Sequence, residues 1–142
     1  TAGPKFAAGG FFRVERDGSI SRSEQAVDRT IEGPAGPIRL RTFLPEQGSQ
    51  VDAVFLHIHG GGWIIGSPEM TDLLNEMMAA TLNVAVVSVD YRLAPEHPYP
   101  AGPDDCEAAA VWLLEHAEAE FGASRLLIGG ESAGGFSMMK RS

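Results

Sequence analysis

Three short apolar runs, separated by two stretches with helical spacing, constrain this chain more than any other feature. Val51-Asp52-Ala53-Val54-Phe55-Leu56-His57-Ile58, Val84-Ala85-Val86-Val87-Ser88-Val89 and Arg125-Leu126-Leu127-Ile128 are nearly continuous in apolar character, the pattern of parallel strands covered on both faces. Between the first two runs, Met70, Leu73, Leu74, Met77, Met78 and Thr81 recur at helical spacing. From Asp104 to Phe121, Cys106, Ala110, Leu113, Ala117 and Phe121 form a second stripe, and Gly122 supplies the stop. Ahead of the first run, residues 26–31 and 38–44 flank Gly33-Pro34-Ala35-Gly36-Pro37, whose glycines and prolines force a reversal and predict a β-hairpin. The order hairpin, strand, helix, strand, helix, strand predicts an α/β protein with a parallel sheet and helices on both faces. Residues 1–24 show no sustained period and read as loop with a short helical turn.

A chain of 142 residues fits one ordinary domain with a real core. A hydrophobic share of 44% against 21% charged excludes a disordered or fibrous chain. The net charge of −8 repels phosphate backbones and anionic lipid, so nucleic acid is not an expected partner. Cys106 is the sole cysteine, which rules out an intrachain disulfide and a cysteine zinc cluster and favours a reducing, cytoplasmic compartment. His57, His59, His97 and His116 lack ligand spacing, so neither a metal nor another cofactor is expected. No apolar run approaches the roughly 18 to 20 residues needed to span a bilayer, and residues 1–10 lack the pattern of a signal peptide. Thr rather than Met at position 1 suggests an upstream piece.

Gly130-Glu131-Ser132-Ala133-Gly134 follows the third apolar run and matches G-x-S-x-G, the strand-to-helix turn that exposes a nucleophilic serine. Gly130 and Gly134 suit the crowded flanks of such a turn, where a side chain has no room. Alone, so short a motif arises by chance in a chain with 17 glycines. The second signal is His59-Gly60-Gly61-Gly62-Trp63, directly after the first apolar run. A carbonyl oxygen becomes an anion when its carbon is attacked, and consecutive glycines let backbone N–H groups converge on it. Both motifs fall at the C-terminal ends of expected parallel strands, where open α/β sheets place their sites.

With Tyr91-Arg92-Leu93-Ala94-Pro95-Glu96-His97-Pro98-Tyr99-Pro100-Ala101 between them, the three motifs in this order resemble the hormone-sensitive-lipase group of esterases, within the α/β-hydrolase fold. The resemblance runs from about Ala26 to Gly135. It implies Ser132 as nucleophile, with Gly61, Gly62 and the N–H of Ala133 as oxyanion hole. His59, Gly60, Gly130, Glu131 and Gly134 support these motifs, and the implied substrates are small carboxylic esters with short acyl chains. Residues 26–142 then form the N-terminal part of a catalytic domain, and residues 1–25 a separate segment or cap remnant.

Other residues have plainer readings. In the family the histidine at His59 shapes its loop, and His57 on a buried strand reads as a satisfied core histidine. Glu131 sits beside Ser132 but points elsewhere on a tight turn, which gives it a supporting role rather than that of triad acid. His97, Asp104 and Asp105 read as loop packing or helix capping, and Cys106 as core.

The family places the acid and the histidine after the serine. The ten residues after Ser132 contain neither, so the expectation is a fold truncated after the nucleophile turn, weak or inactive alone. Its last strand would then present an unpaired apolar edge, leading to homo-oligomers or to association with a missing C-terminal portion. An inactive ligand-binding module and a non-functional truncation product remain as alternatives.

Overall fold

A computed structural model of the chain describes residues 6–7, 10–11, 15–46 and 50–131. Its elements are β1 (Phe6–Ala7), β2 (Gly10–Phe11), β3 (Val27–Gly33), β4 (Gly36–Phe43), β5 (Ala53–Ile58), α1 (Asp72–Leu82), β6 (Val84–Asp90), α2 (Ala101–Phe121) and β7 (Leu126–Gly130), with a 3-10 turn at Pro68–Thr71 before α1. β1 and β2 pair antiparallel, where loop and a helical turn were expected. β3 and β4 form the predicted hairpin through Gly33 and Gly36.

Among the described residues five strands form one sheet in the order β3-β4-β6-β5-β7. β6, β5 and β7 run parallel, whereas β4 meets β6 antiparallel, so the sheet is mixed. Alternation of side chains divides the core between the two faces. Leu40, Val54, Leu56, Val87 and Val89 face α2, which contributes Ala109, Leu113 and Ala117. Phe43, Ala53, Val84 and Val86 face the other way, against Ala79 of α1. The turn residue after α2, Gly122, is left-handed (φ 76°), as expected of a helix stop.

The inward face of α1 differs from the apolar stripe expected there. Asp72, Asn75 and Ala79 are its buried residues, while Met77 is 53% exposed. Polar partners account for the difference. The Arg41 guanidinium donates from Nε to Asp72 Oδ1 at 2.8 Å and from Nη2 to Oδ2 at 2.6 Å, and the Ser23 N–H donates to Oδ2 at 2.8 Å. Asp28 bridges Arg41 and Arg39 at 3.1 and 3.3 Å, and Arg39 reaches on to Asp90 and Glu69. This chain of charges ties the hairpin to the segment leading into α1. Helix α2 begins at Ala101, three residues ahead of the expected start, with Pro100 before it and no side-chain cap.

Two expectations follow. Asp72→Ala leaves the Arg41 guanidinium buried without its main partner, and should destabilise the fold by about 3 kcal/mol in urea unfolding, while the double variant Arg41→Met/Asp72→Leu recovers most of that loss. Burial pushes the Glu69 carboxyl up, but hydrogen bonds from Arg39, Ser67 and the backbone outweigh it and hold the pKa at about 2 against an ordinary 4.5. The stability this provides is complete above pH 4.5 and is lost as pH falls towards 2. In Glu69→Gln, the acid-side fall in melting temperature should therefore be shallower.

Candidate active site

β5 and β7 are parallel neighbours, and their register sets Ile58 opposite Gly130. The His59 loop and Glu131 therefore leave the same end of the sheet side by side. Gly130 closes β7, and Glu131 follows it. Ser132, Ala133 and Gly134 lie outside the described residues.

The loop after β5 folds into a tight coil. The Ile64 and Ile65 N–H groups donate to the Gly61 carbonyl at 3.3 and 3.1 Å. Gly61 (φ 133°) and Gly62 (φ 65°) lie in the region that favours glycine. At Gly61 a Cβ would stand 1.9 Å from the Ile65 carbonyl oxygen, so no other residue fits without moving the loop. Trp63 also has a positive φ, 68°, an uncommon conformation that its surroundings enforce. Its carbonyl accepts from the Ala94 N–H at 2.7 Å, and its indole meets the Tyr91 ring edge-on at 5.5 Å.

His59 is a loop-shaping residue in this structure. It is buried and stacks on Tyr91 with centroids 4.3 Å apart. Its Nδ1–H donates to the Gly60 carbonyl at 2.8 Å, and the Tyr91 O–H donates to the His59 carbonyl at 2.6 Å. Burial pushes the imidazole pKa down, so the neutral ring carries its proton on Nδ1. Nε2 has no partner among the described residues. Burial likewise pushes the Tyr91 phenol up, which keeps it a donor.

His57 and Glu131 meet, a contact between residues 74 apart in the chain. His57 Nε2 lies 2.7 Å from Glu131 Oε1, and Nδ1 lies 2.9 Å from Ser88 Oγ and 3.5 Å from Asn75 Nδ2. The Glu131 carboxylate can only accept, so His57 Nε2 carries a proton directed towards it. Burial pushes the Glu131 carboxyl up; His57 and the backbones of Glu131 and Gly60 outweigh this and hold it below its ordinary value. Ser88 was not singled out from the sequence, yet it is the cross-strand partner of His57 in the ladder. Two polar residues at matching depth in two apolar runs were the available signal.

The Tyr91–Ala101 segment is fastened to α2. Arg92 donates from Nε and Nη2 to the two oxygens of buried Asp105 at 2.9 and 2.8 Å, and from its backbone N–H at 3.0 Å. Asp105 thus packs the loop rather than capping the helix. Cys106 is buried in the core beside it. A cavity of about 550 Å³ lies between the hairpin turn and α2, lined by Glu32, Glu107, Trp112 and Glu115 among others, and none of the motif residues borders it. The described residues contain no group of His, Cys, Asp and Glu side chains that could hold a metal. No described helix is long and apolar enough to cross a membrane.

Residues 55–139 match the family model of the α/β-hydrolase fold, and the chain belongs to that family. It is 46% identical over 111 residues to the carboxylic ester hydrolase LipN of Mycobacterium tuberculosis, covering 77% of this chain and 29% of LipN. It is 45% identical over 115 residues to the esterase LipI of the same organism, covering 78% and 36%. Among solved structures it resembles a Pyrobaculum calidifontis esterase with a TM-score of 0.74 and 38% identity, over 83% of this chain and 40% of that one. The chain thus spans about a third of the length of these relatives, and the esterase names agree with the resemblance drawn from its motifs.

Tyr91→Phe keeps the ring stack and removes the donor to the buried His59 carbonyl. It should destabilise the protein by about 1–3 kcal/mol in urea unfolding, and an unchanged midpoint would contradict the role given to this hydroxyl.

Proposed function

We propose that this chain carries the nucleophile and oxyanion side of a carboxylic ester hydrolase site. Ser132 Oγ attacks the ester carbonyl, and the N–H groups of Gly61, Gly62 and Ala133 stabilise the oxyanion. The alcohol leaves, and water then releases the acid from the acyl-serine. The observation that carries this reading is the Ile58–Gly130 register, which sets the glycine loop beside the strand end from which the G-E-S-A-G motif departs. The esterase relatives support it. Substrates of this reading are small esters with short acyl chains.

The reaction needs a base to take the serine proton. His57 has both ring nitrogens engaged, and His59 is buried and stacked on Tyr91, with burial lowering its basicity. This reading therefore assigns the base and its orienting acid to residues outside this sequence, in the family order of serine, acid, histidine. Residues 26–142 then belong to one catalytic domain. β7 is an edge strand among the described residues, with Leu127 44% and Ile128 41% exposed, which supports association with further strands.

A fluorophosphonate should label Ser132 of the full chain, as read by mass spectrometry, and Ser132→Ala should abolish the label. Hydrolysis of p-nitrophenyl butyrate should run at most about 10³–10⁴-fold above water without the base. Gly61→Ala should slow labelling by about 10²-fold, because the displaced loop misplaces an oxyanion donor. A fluorophosphonate label on the parent chain that persists in Ser132→Ala would sink the assignment of the nucleophile and favour a binding module.

A further inference from the structure

The Glu131 carboxylate is bound from two directions that no sequence motif requires. His57 Nε2, on the penultimate residue of β5, donates to it at 2.7 Å, and the Gly60 backbone in the glycine loop stands near enough to favour its charged form. Behind His57, the Ser88 hydroxyl on β6 meets Nδ1 at 2.9 Å, and the buried Asn75 of α1 stands at 3.5 Å. His57, Ser88 and Asn75 are each at most 2% exposed, so the imidazole is held by packing as well as by hydrogen bonds. A carboxylate hydrogen-bonded by a fixed donor has a strong orientational preference.

We propose that Glu131 is a positioning residue: it bolts the residue before Ser132 to the loop carrying the oxyanion donors, through one polar chain running Ser88–His57–Glu131–Gly60. The inference rests on the hydrolase reading for its effect on chemistry, and on geometry alone for the tie itself. Acyl transfer needs nucleophile and oxyanion donors correctly spaced at the same moment, and a shift of about 1 Å lowers the rate by about 10²-fold. Sheet register brings the two segments together only to within strand spacing. The carboxylate supplies a side-chain link across that gap.

The carboxylate is specific in this position. Glutamine can still accept from His57, but its NH2 cannot accept a second donor from the loop. Aspartate keeps the charge on a shorter arm.

The test uses the full chain as parent, Glu131→Gln, Glu131→Asp and Glu131→Ala, with two readouts. Amide hydrogen exchange should accelerate about tenfold or more at Gly60–Gly62 in Glu131→Ala, and less in Glu131→Gln, with the β4 and β6 amides unchanged as the control for folding. Fluorophosphonate labelling of Ser132 should fall by about 10–100-fold in Glu131→Ala, with partial rescue in Glu131→Asp. Unchanged loop exchange in both Glu131→Ala and Glu131→Gln would overturn the tie. Accelerated exchange with unchanged labelling would overturn the positioning role. If the label persists in Ser132→Ala while loop exchange still responds to Glu131, the hydrolase reading falls and the tie stands.

Discussion

The parallel pairing of β5 with β7 is the constraint on which the site depends. It joins segments that are some seventy residues apart in the chain, with Val54 opposite Leu126 and Ile58 opposite Gly130. A slip of β7 by one residue would turn Leu126 away from the α2-side core and carry Glu131 away from His57. The pairing is therefore enforced twice, by apolar burial along the strand and by a polar contact at its end. What leaves the sheet there, a glycine coil on one strand and Glu131 on the next, inherits its relative position from that register.

Around this end the structure uses buried polar contacts where an apolar core would leave the loops free. Tyr91 stacks on His59 and bonds its carbonyl, Arg92 grips Asp105, and Arg41 grips Asp72. The first joins two loops, the second a loop to α2 and the third the hairpin to α1. Such contacts add little net stability over a hydrophobic replacement, but they penalise misplacement heavily, because a broken contact leaves a buried polar group unpaired. A loop rich in glycine needs this kind of restraint, since its own backbone prefers no single shape.

Much of this was legible in the residues. The three parallel strands, both helices and the hairpin followed from apolar runs, helical spacing and the Gly-Pro reversal, although β7, expected to be covered on both faces, is half-exposed. The antiparallel entry of β4 against β6 did not, since nothing local in a hairpin names its neighbour. The α1 face was misread because Met70, Leu73 and Met77 carry the apolar signal, while Asp72 and Asn75 face inward towards Arg41 and His57, partners distant in sequence. Gly61 was legible as a backbone that must come close, and its clash with the Ile65 carbonyl gives the reason in steric terms. Glu131 was legible as a residue with a supporting role. Its partner was not, because a carboxylate shows its charge in the sequence and not its direction.

The central claim is that the glycine loop and the turn bearing Ser132 build one anion-binding point. A crystal structure of the phosphonylated chain tests it most directly. The account predicts a phosphorus bonded to Ser132 Oγ, with its oxygen about 2.7–3.1 Å from the Gly61 and Gly62 amide nitrogens. A phosphonyl oxygen turned away from that loop, or held by other donors, would contradict it.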